Sequence, residues 1–226
     1  MTTLIACSHG TSSPEGRATV ARLVALVQDR MPAVRVVSAF VDVQSPRVDV
    51  VVGRESRRDS TVVVPLLLSS GHHTSVDIAS AVAAHADVRQ TEPLGTHPLI
   101  AHVLATRLRA AVRGAWRPGD SVVLAAAGSS DPAAAADVDA SAENLRRLVP
   151  APVTVGYASG AGPRVAEVVF SSRAGGAARV SAASHMLAPG FFTGLVRRAG
   201  ADIVSDPLGA DPRVAEAIMD RYRRAL

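Results

Sequence analysis

The apolar positions of the chain alternate between short continuous runs and helical stripes. The first run covers residues 3–7, and in residues 14–31 apolar side chains then recur every three or four positions. A later run, residues 61–68, is almost uninterrupted, as expected for a strand that is buried on both faces of a parallel sheet. The pattern therefore predicts a strand followed by a helix, repeated along the chain.

Eight strands and eight helices are predicted in this way. The predicted strands are residues 3–7, 34–41, 61–68, 88–91, 121–125, 153–158, 178–183 and 202–204. The predicted helices are residues 14–31, 46–54, 74–86, 98–112, 132–148, 163–171, 191–199 and 212–224. Glycines and a proline in residues 113–120 predict a boundary there. We expect an α/β fold of two halves, residues 1–116 and 117–226, each a parallel sheet of about four strands flanked by helices.

The two halves are copies of each other. Residues 65–74 read PLLLSSGHHT and residues 184–193 read SHMLAPGFFT, so the apolar run, the glycine and the threonine keep their places. Likewise, residues 8–14 read SHGTSSP and residues 126–132 read AAGSSDP. The chain is therefore an internal duplication, and the halves are expected to be pseudo-symmetric.

Only the first copy carries histidines at these positions. His9, His72 and His73 have no histidine counterpart, and Phe191 and Phe192 replace the last two. Both copies have a similar surrounding sequence, but only the first has the histidines. This difference indicates that the histidines carry out chemistry in the first half.

Composition excludes several functions. All 24 basic residues are Arg, which removes Schiff-base lysines and P-loop lysines from consideration. Aromatics make up 3% of the chain and the formal net charge is only +4, so nucleic-acid binding is not expected. No apolar stretch approaches the length of a membrane span. Cys7 lies within the first apolar run, which predicts a position in the core. Because it is the only cysteine, no internal disulfide is possible, which suits a reducing, cytoplasmic location.

The candidate residues follow predicted strand ends. Ligands of parallel sheets bind beyond the carboxyl ends of the strands, so we expect His9 and His73 at one rim, in a cleft between the halves. His73 begins a helix, whose dipole favours a neutral imidazole that can bind metal or accept a proton. His72 is expected to point away from the site, because adjacent side chains of an extended backbone face opposite sides. Asp42, at the end of the second strand, is either a site carboxylate or a solvated loop acid.

Further residues are predicted to bind substrate or to support the fold. Hydroxyls and free amides at strand-to-helix turns predict contacts with an acidic ligand. The residues concerned are Ser12, Ser69, Ser70, Gly71, Ser129 and Ser130. His97 and Asp211, each before a proline, are predicted helix caps. His185 could line the cleft, although a structural role is preferred.

These motifs together resemble a known family. SHG at residues 8–10, FVD at 40–42, PLLLSSGHH at 65–73 and PLGTHP at 93–98 resemble the sirohydrochlorin chelatases. These are class II tetrapyrrole chelatases of the CbiX type, and their long members are also duplicated. The resemblance covers the whole chain and implies that His9 and His73 contact metal and macrocycle. It places Asp42 where the family has an acidic residue, more often Glu.

The implied enzyme is a lyase that inserts Fe²⁺ or Co²⁺ into sirohydrochlorin without ATP, for sirohaem or cobalamin synthesis. The metal is then a substrate, and no organic cofactor is expected. Phe191 and Phe192 would cover a macrocycle face or would be ordinary core aromatics. A metal or tetrapyrrole carrier would use the same cleft. A histidine phosphatase is disfavoured because Ser8 stands where such enzymes need Arg. We expect no nucleic acid or membrane partner, and a monomer or homodimer.

Overall fold

The chain forms two parallel four-stranded sheets. The computed structural model describes residues 2–57, 60–71 and 73–226, with the backbone alone at His73 and Ser75. The strands are β1 (Thr3–Ser8), β2 (Arg35–Phe40), β3 (Thr61–Pro65), β4 (Val88–Gln90), β5 (Asp120–Ala126), β6 (Val153–Tyr157), β7 (Arg179–His185) and β8 (Ile203–Val204). Their order is β2-β1-β3-β4 in one sheet and β6-β5-β7-β8 in the other. The predicted fold class and duplication are confirmed.

Helices connect the strands and lie on both faces of each sheet. They are α1 (Pro14–Arg30), α2 (Val48–Glu55), α3 (Ala79–Ala83), α4 (Pro98–Val112), α5 (Pro132–Arg146), α6 (Val165–Ala174), α7 (Phe191–Arg197) and α8 (Pro212–Arg224). Four of them begin at a proline whose missing N–H needs no partner there, after a residue that caps the helix. These caps are Ser13, His97, Asp131 and Asp211, so both predicted caps are confirmed.

Two helices, α2 and α6, begin two residues later than predicted. The Phe40 N–H donates to the Pro46 carbonyl at 3.0 Å, and the Tyr157 N–H donates to the Pro163 carbonyl at 2.9 Å. Each proline carbonyl therefore continues the edge of the sheet and keeps the next residue extended. The prediction placed the proline inside the helix, and this pairing is why it was wrong at these ends.

The helix predicted over residues 74–86 is also different. A π-helical turn, His73–Ile78, comes first and leads into the short α3. The Gln90 Nε2 donates to the Thr74 carbonyl at 3.0 Å. A side chain that bonds a helical carbonyl in this way competes with the regular ladder and favours a wider turn.

One buried cluster joins the two sheets. It contains Leu4 of β1, Leu124 of β5, Leu104 of α4 and Ile218 of α8, all without exposed surface. The opposite sheet faces are covered by α2 and α3 in the first half and by α6 and α7 in the second. The fully buried Cys7 belongs to the first of these outer clusters, as predicted.

The last helix of each copy packs against the other copy's sheet. Helix α4 lies against β7 and β8, and α8 lies against β3. Arg107 of α4 donates to the Leu208 carbonyl at 3.0 Å, and the corresponding Arg221 of α8 donates to the Pro93 carbonyl at 3.2 Å. This exchange of helices fixes the two rims relative to each other.

Candidate active site

The loops after β1 and β2 form a tight junction that places His9 beside Asp42. The Asp42 N–H donates to the His9 carbonyl at 2.9 Å. Gly10 has a φ of +94°, and a Cβ there would stand 2.1 Å from the Asp42 carbonyl oxygen. Only glycine fits this approach, so the junction between the candidate histidine and the candidate acid depends on Gly10.

The second copy has the same junction without the chemistry. The Ser159 N–H donates to the Ala127 carbonyl at 2.8 Å. Gly128 also has a φ of +94°, and its Cβ would lie 1.9 Å from the Ser159 carbonyl oxygen. Ala127 thus corresponds to His9, and Ser159 corresponds to Asp42.

A hydrogen bond of the His9 ring indicates its tautomer. Its Nδ1 lies 3.1 Å from the Gly10 carbonyl oxygen. A carbonyl oxygen only accepts hydrogen bonds, so Nδ1 carries the proton of the neutral ring and Nε2 is the unprotonated nitrogen. An unprotonated imidazole nitrogen is the form that binds a metal ion or accepts a proton.

Asp42 lies on the surface of the same rim. Its side chain is exposed, and its Oδ1 accepts from the Val43 N–H at 2.7 Å. One carboxylate oxygen is therefore held by the backbone of its own loop, while the group as a whole faces solvent. The backbone hydrogen bond places Asp42 beside His9 on the rim, where its position at the end of the second strand predicted it.

A glycine–threonine turn holds the second histidine position. The Gly71 N–H donates to Thr74 Oγ1, and this hydroxyl donates to the Gly71 carbonyl, both at 2.9 Å. Gly190 and Thr193 make the same pair of bonds at 2.9 and 2.8 Å. The two turns are equivalent, so His73 corresponds to Phe192. His72 lies outside the described residues.

Phe191 and Phe192 are surface residues. Phe191 is 72% exposed and Phe192 is 38% exposed. Their ring centroids are 5.4 Å apart in an edge-to-face arrangement. The alternative that they are ordinary core aromatics is wrong, because α7 carries them on the rim. Of the two, Phe192 is the less exposed.

The rims of the two halves touch. A Cβ on Gly71 would lie 3.2 Å from Ser129 Oγ, and one on Gly190 would lie 3.5 Å from Thr11 Oγ1. The serine-rich turn of each copy therefore meets the glycine turn of the other. His9 follows β1 and the His73 backbone follows β3, which are neighbouring parallel strands, so both lie at the same rim. The second copy contacts this rim at Thr11 and Gly71.

The serines occupy this contact region in different ways. Ser129 Oγ accepts from the Asp131 N–H at 3.1 Å, and the Ser70 N–H donates to Asp137 Oδ2 at 2.6 Å. Ser12 and Ser130 are exposed, and Ser69 is half-buried. All of them, with Gly71, lie in strand-to-helix loops at the rim. Their role in binding a ligand stays a prediction.

Two rim residues escaped the sequence analysis. Asp137 of α5 binds the backbone of the histidine loop, and Gln44 accepts from the Thr11 N–H at 2.9 Å through Oε1. Asp137 lies in the second turn of the helix that follows the AAGSSDP segment. Its nearness to the histidine loop arises only when the halves pack together.

His97 and His185 have structural surroundings. His97 accepts from the Leu99 N–H at 3.2 Å and contacts Asp220 at 3.1 Å. His185 ends β7 and is 2% exposed. Burial lowers the pKa of His185 from 6.5 to about 4. Burial, with a smaller contribution from Asp77, raises the pKa of the Cys7 thiol to about 12, which makes that thiol unreactive.

A cavity of about 380 Å³ opens between the halves, on the flank of the rim. Its charged lining residues are Arg22, Arg107, Arg197, Glu15 and Asp206. Arg197 pairs with Asp206 at 3.7 Å and Arg107 pairs with Asp211 at 3.6 Å, so acids offset most of the positive charge of this cavity. Among the described side chains, no three of the residue types His, Cys, Asp and Glu cluster as a metal site. Within the same residues, no helix combines the length and hydrophobicity needed to cross a bilayer.

Solved structures share the fold over nearly the whole chain. SirB from Bacillus subtilis with Fe³⁺ is 21% identical with a TM-score of 0.83, and the match covers 99% of this chain and 94% of that one. The sirohydrochlorin chelatase SirB from Bacillus subtilis subspecies spizizenii, in complex with cobalt, is 20% identical with a TM-score of 0.74 over the same shares. CbiX, the terminal enzyme of sirohaem biosynthesis in denitrifying bacteria, is 22% identical with a TM-score of 0.68 and matches over the full length of both.

A comparison with curated proteins gave no match. The family model CbiX matches residues 3–111 and again residues 121–225. Each match covers one copy of the duplication, and together they span nearly all of the sequence. This confirms the resemblance drawn from the histidine and glycine motifs. The chain belongs to the CbiX family.

Proposed function

We propose that the protein is a sirohydrochlorin chelatase, a lyase that inserts Fe²⁺ or Co²⁺ into the macrocycle without ATP. The observation that carries this proposal is the asymmetry between two equivalent rims. The glycine junctions and glycine–threonine turns are the same in both copies. His9, Asp42 and His73 stand in one copy where Ala127, Ser159 and Phe192 stand in the other.

The chemistry requires side chains that bind the metal ion and a group that accepts protons at the same place. Insertion removes two pyrrole N–H protons while the divalent ion loses water and enters the ring. His9 and His73 supply imidazoles, which bind Fe²⁺ and Co²⁺ without the tight hold of a thiolate cage. Two protein ligands leave coordination positions open for water and for the pyrrole nitrogens, as transfer of the ion requires.

The protons need an acceptor beside the ring. His9, with Nε2 as the unprotonated nitrogen, can take one when it is not holding the metal. Asp42, on the adjoining loop and exposed, is the carboxylate that can pass protons to solvent. We assign His73 to the metal and not His72, because Phe192, the counterpart of His73, is the less exposed of the two phenylalanines.

The second copy supplies the opposite wall. Phe191 and Phe192 offer apolar surface to one face of the macrocycle. Ser12, Ser69, Ser70, Ser129 and Ser130 offer hydroxyl donors to the carboxylates. The N–H groups of Ser70 and Gly71 are bound to Asp137 and Thr74, so these two amides shape the loop that presents the hydroxyls. Two solved structures that share the fold hold Fe³⁺ and cobalt, which supports iron or cobalt as the metal that this protein handles. We further propose that the protein acts in the cytoplasm and needs no organic cofactor.

A carrier of metal or tetrapyrrole is the competing function, and product stoichiometry separates the two. Sirohydrochlorin and one metal at a time are mixed anaerobically with the protein, each in large excess over the chain. Absorbance then follows the metallated product. A chelatase forms many products per chain at a rate proportional to protein concentration. A carrier forms at most one product per chain, and that result would refute the proposal.

A further inference from the structure

Val43 has a backbone conformation that its side chain disfavours. Its φ is +62°, in the left-handed region, and it is a β-branched residue. Branching at Cβ makes this region costly, and such residues persist where the position serves a function. The corresponding residue of the second copy is Gly160, with a φ of +73°. The same turn can therefore be made without a side chain, and in the first copy it carries one.

The Val43 side chain does not pay for this strain by packing inside the protein, since the residue is 51% exposed. It lies on the rim, directly after Asp42, and its N–H donates to Asp42 Oδ1 at 2.7 Å. An apolar side chain in a strained and exposed position next to the candidate acid is suited to contact a ligand.

Gln44, the next residue, has a fixed side-chain amide. Its Oε1 accepts from the Thr11 N–H at 2.9 Å, and its backbone N–H donates to the Asp42 carbonyl at 2.6 Å. A backbone N–H can only donate, so the amide oxygen must face Thr11 and the NH₂ group must face away from it. In the second copy the backbone N–H of Ala161 bonds the Ser129 carbonyl at 3.2 Å, so this loop is joined without a side-chain amide.

We propose that Val43 and Gln44 form the outer wall of the tetrapyrrole site on the first half. Val43 contacts the apolar edge of the macrocycle, and the Gln44 NH₂ group donates to one of its peripheral carboxylates. This assignment rests on the proposed function and names specificity residues for it. It also gives a reason why the first copy retains a strained valine where glycine fits.

Two substitutions test the wall without disturbing the loop. Asn tolerates the left-handed region, so Val43→Asn removes the apolar contact and relieves the strain. Gln44→Glu keeps an acceptor for the Thr11 N–H and replaces the donor by a carboxylate that repels an acidic ligand. Ala110→Glu, an exposed change in the last turn of α4, adds the same charge at the end of that helix away from the rim.

The measurement is the dissociation constant of metal-free sirohydrochlorin, from absorbance titration at low salt, together with the melting temperature of each variant. We expect Val43→Asn to melt at or above the wild-type temperature and to bind about fivefold more weakly. Gln44→Glu should bind about tenfold more weakly with an unchanged melting temperature, and Ala110→Glu should match the wild type in affinity.

Wild-type affinity in both rim variants would overturn the inference, and so would a lower melting temperature for Val43→Asn, because the valine would then serve the fold. A wild-type chain that binds no sirohydrochlorin would overturn the proposed function itself, and that result is read before any variant is compared.

Discussion

His185 should make the protein lose stability in mild acid. Its ring is almost completely buried at the end of β7, and its Nε2 has no hydrogen-bond partner among the described residues. Burial disfavours the charged imidazolium and lowers the pKa of His185 from 6.5 to about 4. The native state therefore keeps the ring neutral at a pH where the unfolded chain protonates it.

The size and sign of the effect follow from proton linkage. Above pH 6.5 the ring is neutral in both states and costs nothing. As the pH falls from 6.5 towards 4, the unfolded state gains a proton that the native state does not, so stability falls. The full gap is worth roughly 3 kcal/mol, and about 2 kcal/mol of it should be lost between pH 7.5 and pH 5.

The assay is urea unfolding of the wild type and of His185→Leu at these two pH values. Leucine is a fitting replacement because Leu66 occupies the corresponding, buried position of the first copy. Titration of all other groups cancels in the comparison, so the variant should lose about 2 kcal/mol less than the wild type on acidification. His102→Gln, at an exposed helix position, is the control and should behave as the wild type. Equal losses in wild type and His185→Leu would refute the reasoning.

Three further predictions follow from the rim and the caps. Gly10→Ala and Gly128→Ala should each cost about 1–3 kcal/mol in urea unfolding, but only Gly10→Ala should strongly lower the insertion rate; equal rates would contradict the role of the Asp42 junction. His97→Ala should lower the free energy of unfolding by about 1 kcal/mol through the lost cap and leave the insertion rate nearly unchanged. A large loss of insertion rate would contradict this structural role and would indicate that His97 binds the metal. The KM for sirohydrochlorin should rise with sodium chloride concentration while kcat changes less. An unchanged KM would contradict the proposal that the rim binds the carboxylates of the substrate.

The alternation of strands and helices along the chain and the duplication could be predicted because they depend on local patterns. Residues 61–68 are apolar on both faces, and the proline-started helices α1, α4, α5 and α8 begin where capping residues precede them. The two copies also constrain each other, since each element is seen twice. The position of His9 at the rim followed from these patterns together with the rule that ligands bind beyond strand ends.

Features that depend on contacts distant in sequence could not be predicted. The π-helical turn involves Gln90, a residue of the next strand. The packing of α4 on the second sheet involves β7 and β8 of the other copy. Asp137 reaches the Ser70 backbone only after the halves meet. The strained conformation of Val43 has no local signal, because its sequence favours an extended strand.

The most direct test of the account is the initial rate of metal insertion by a variant that carries both His9→Ala and His73→Ala. It is compared with the wild type and with a variant that carries both Phe191→Ala and Phe192→Ala, under anaerobic conditions with sirohydrochlorin and Co²⁺, after circular dichroism has verified folding. The account predicts that the histidine variant falls to the rate without protein, while the phenylalanine variant keeps activity with a raised KM. A histidine variant that inserts metal at a rate close to that of the wild type would contradict the central claim.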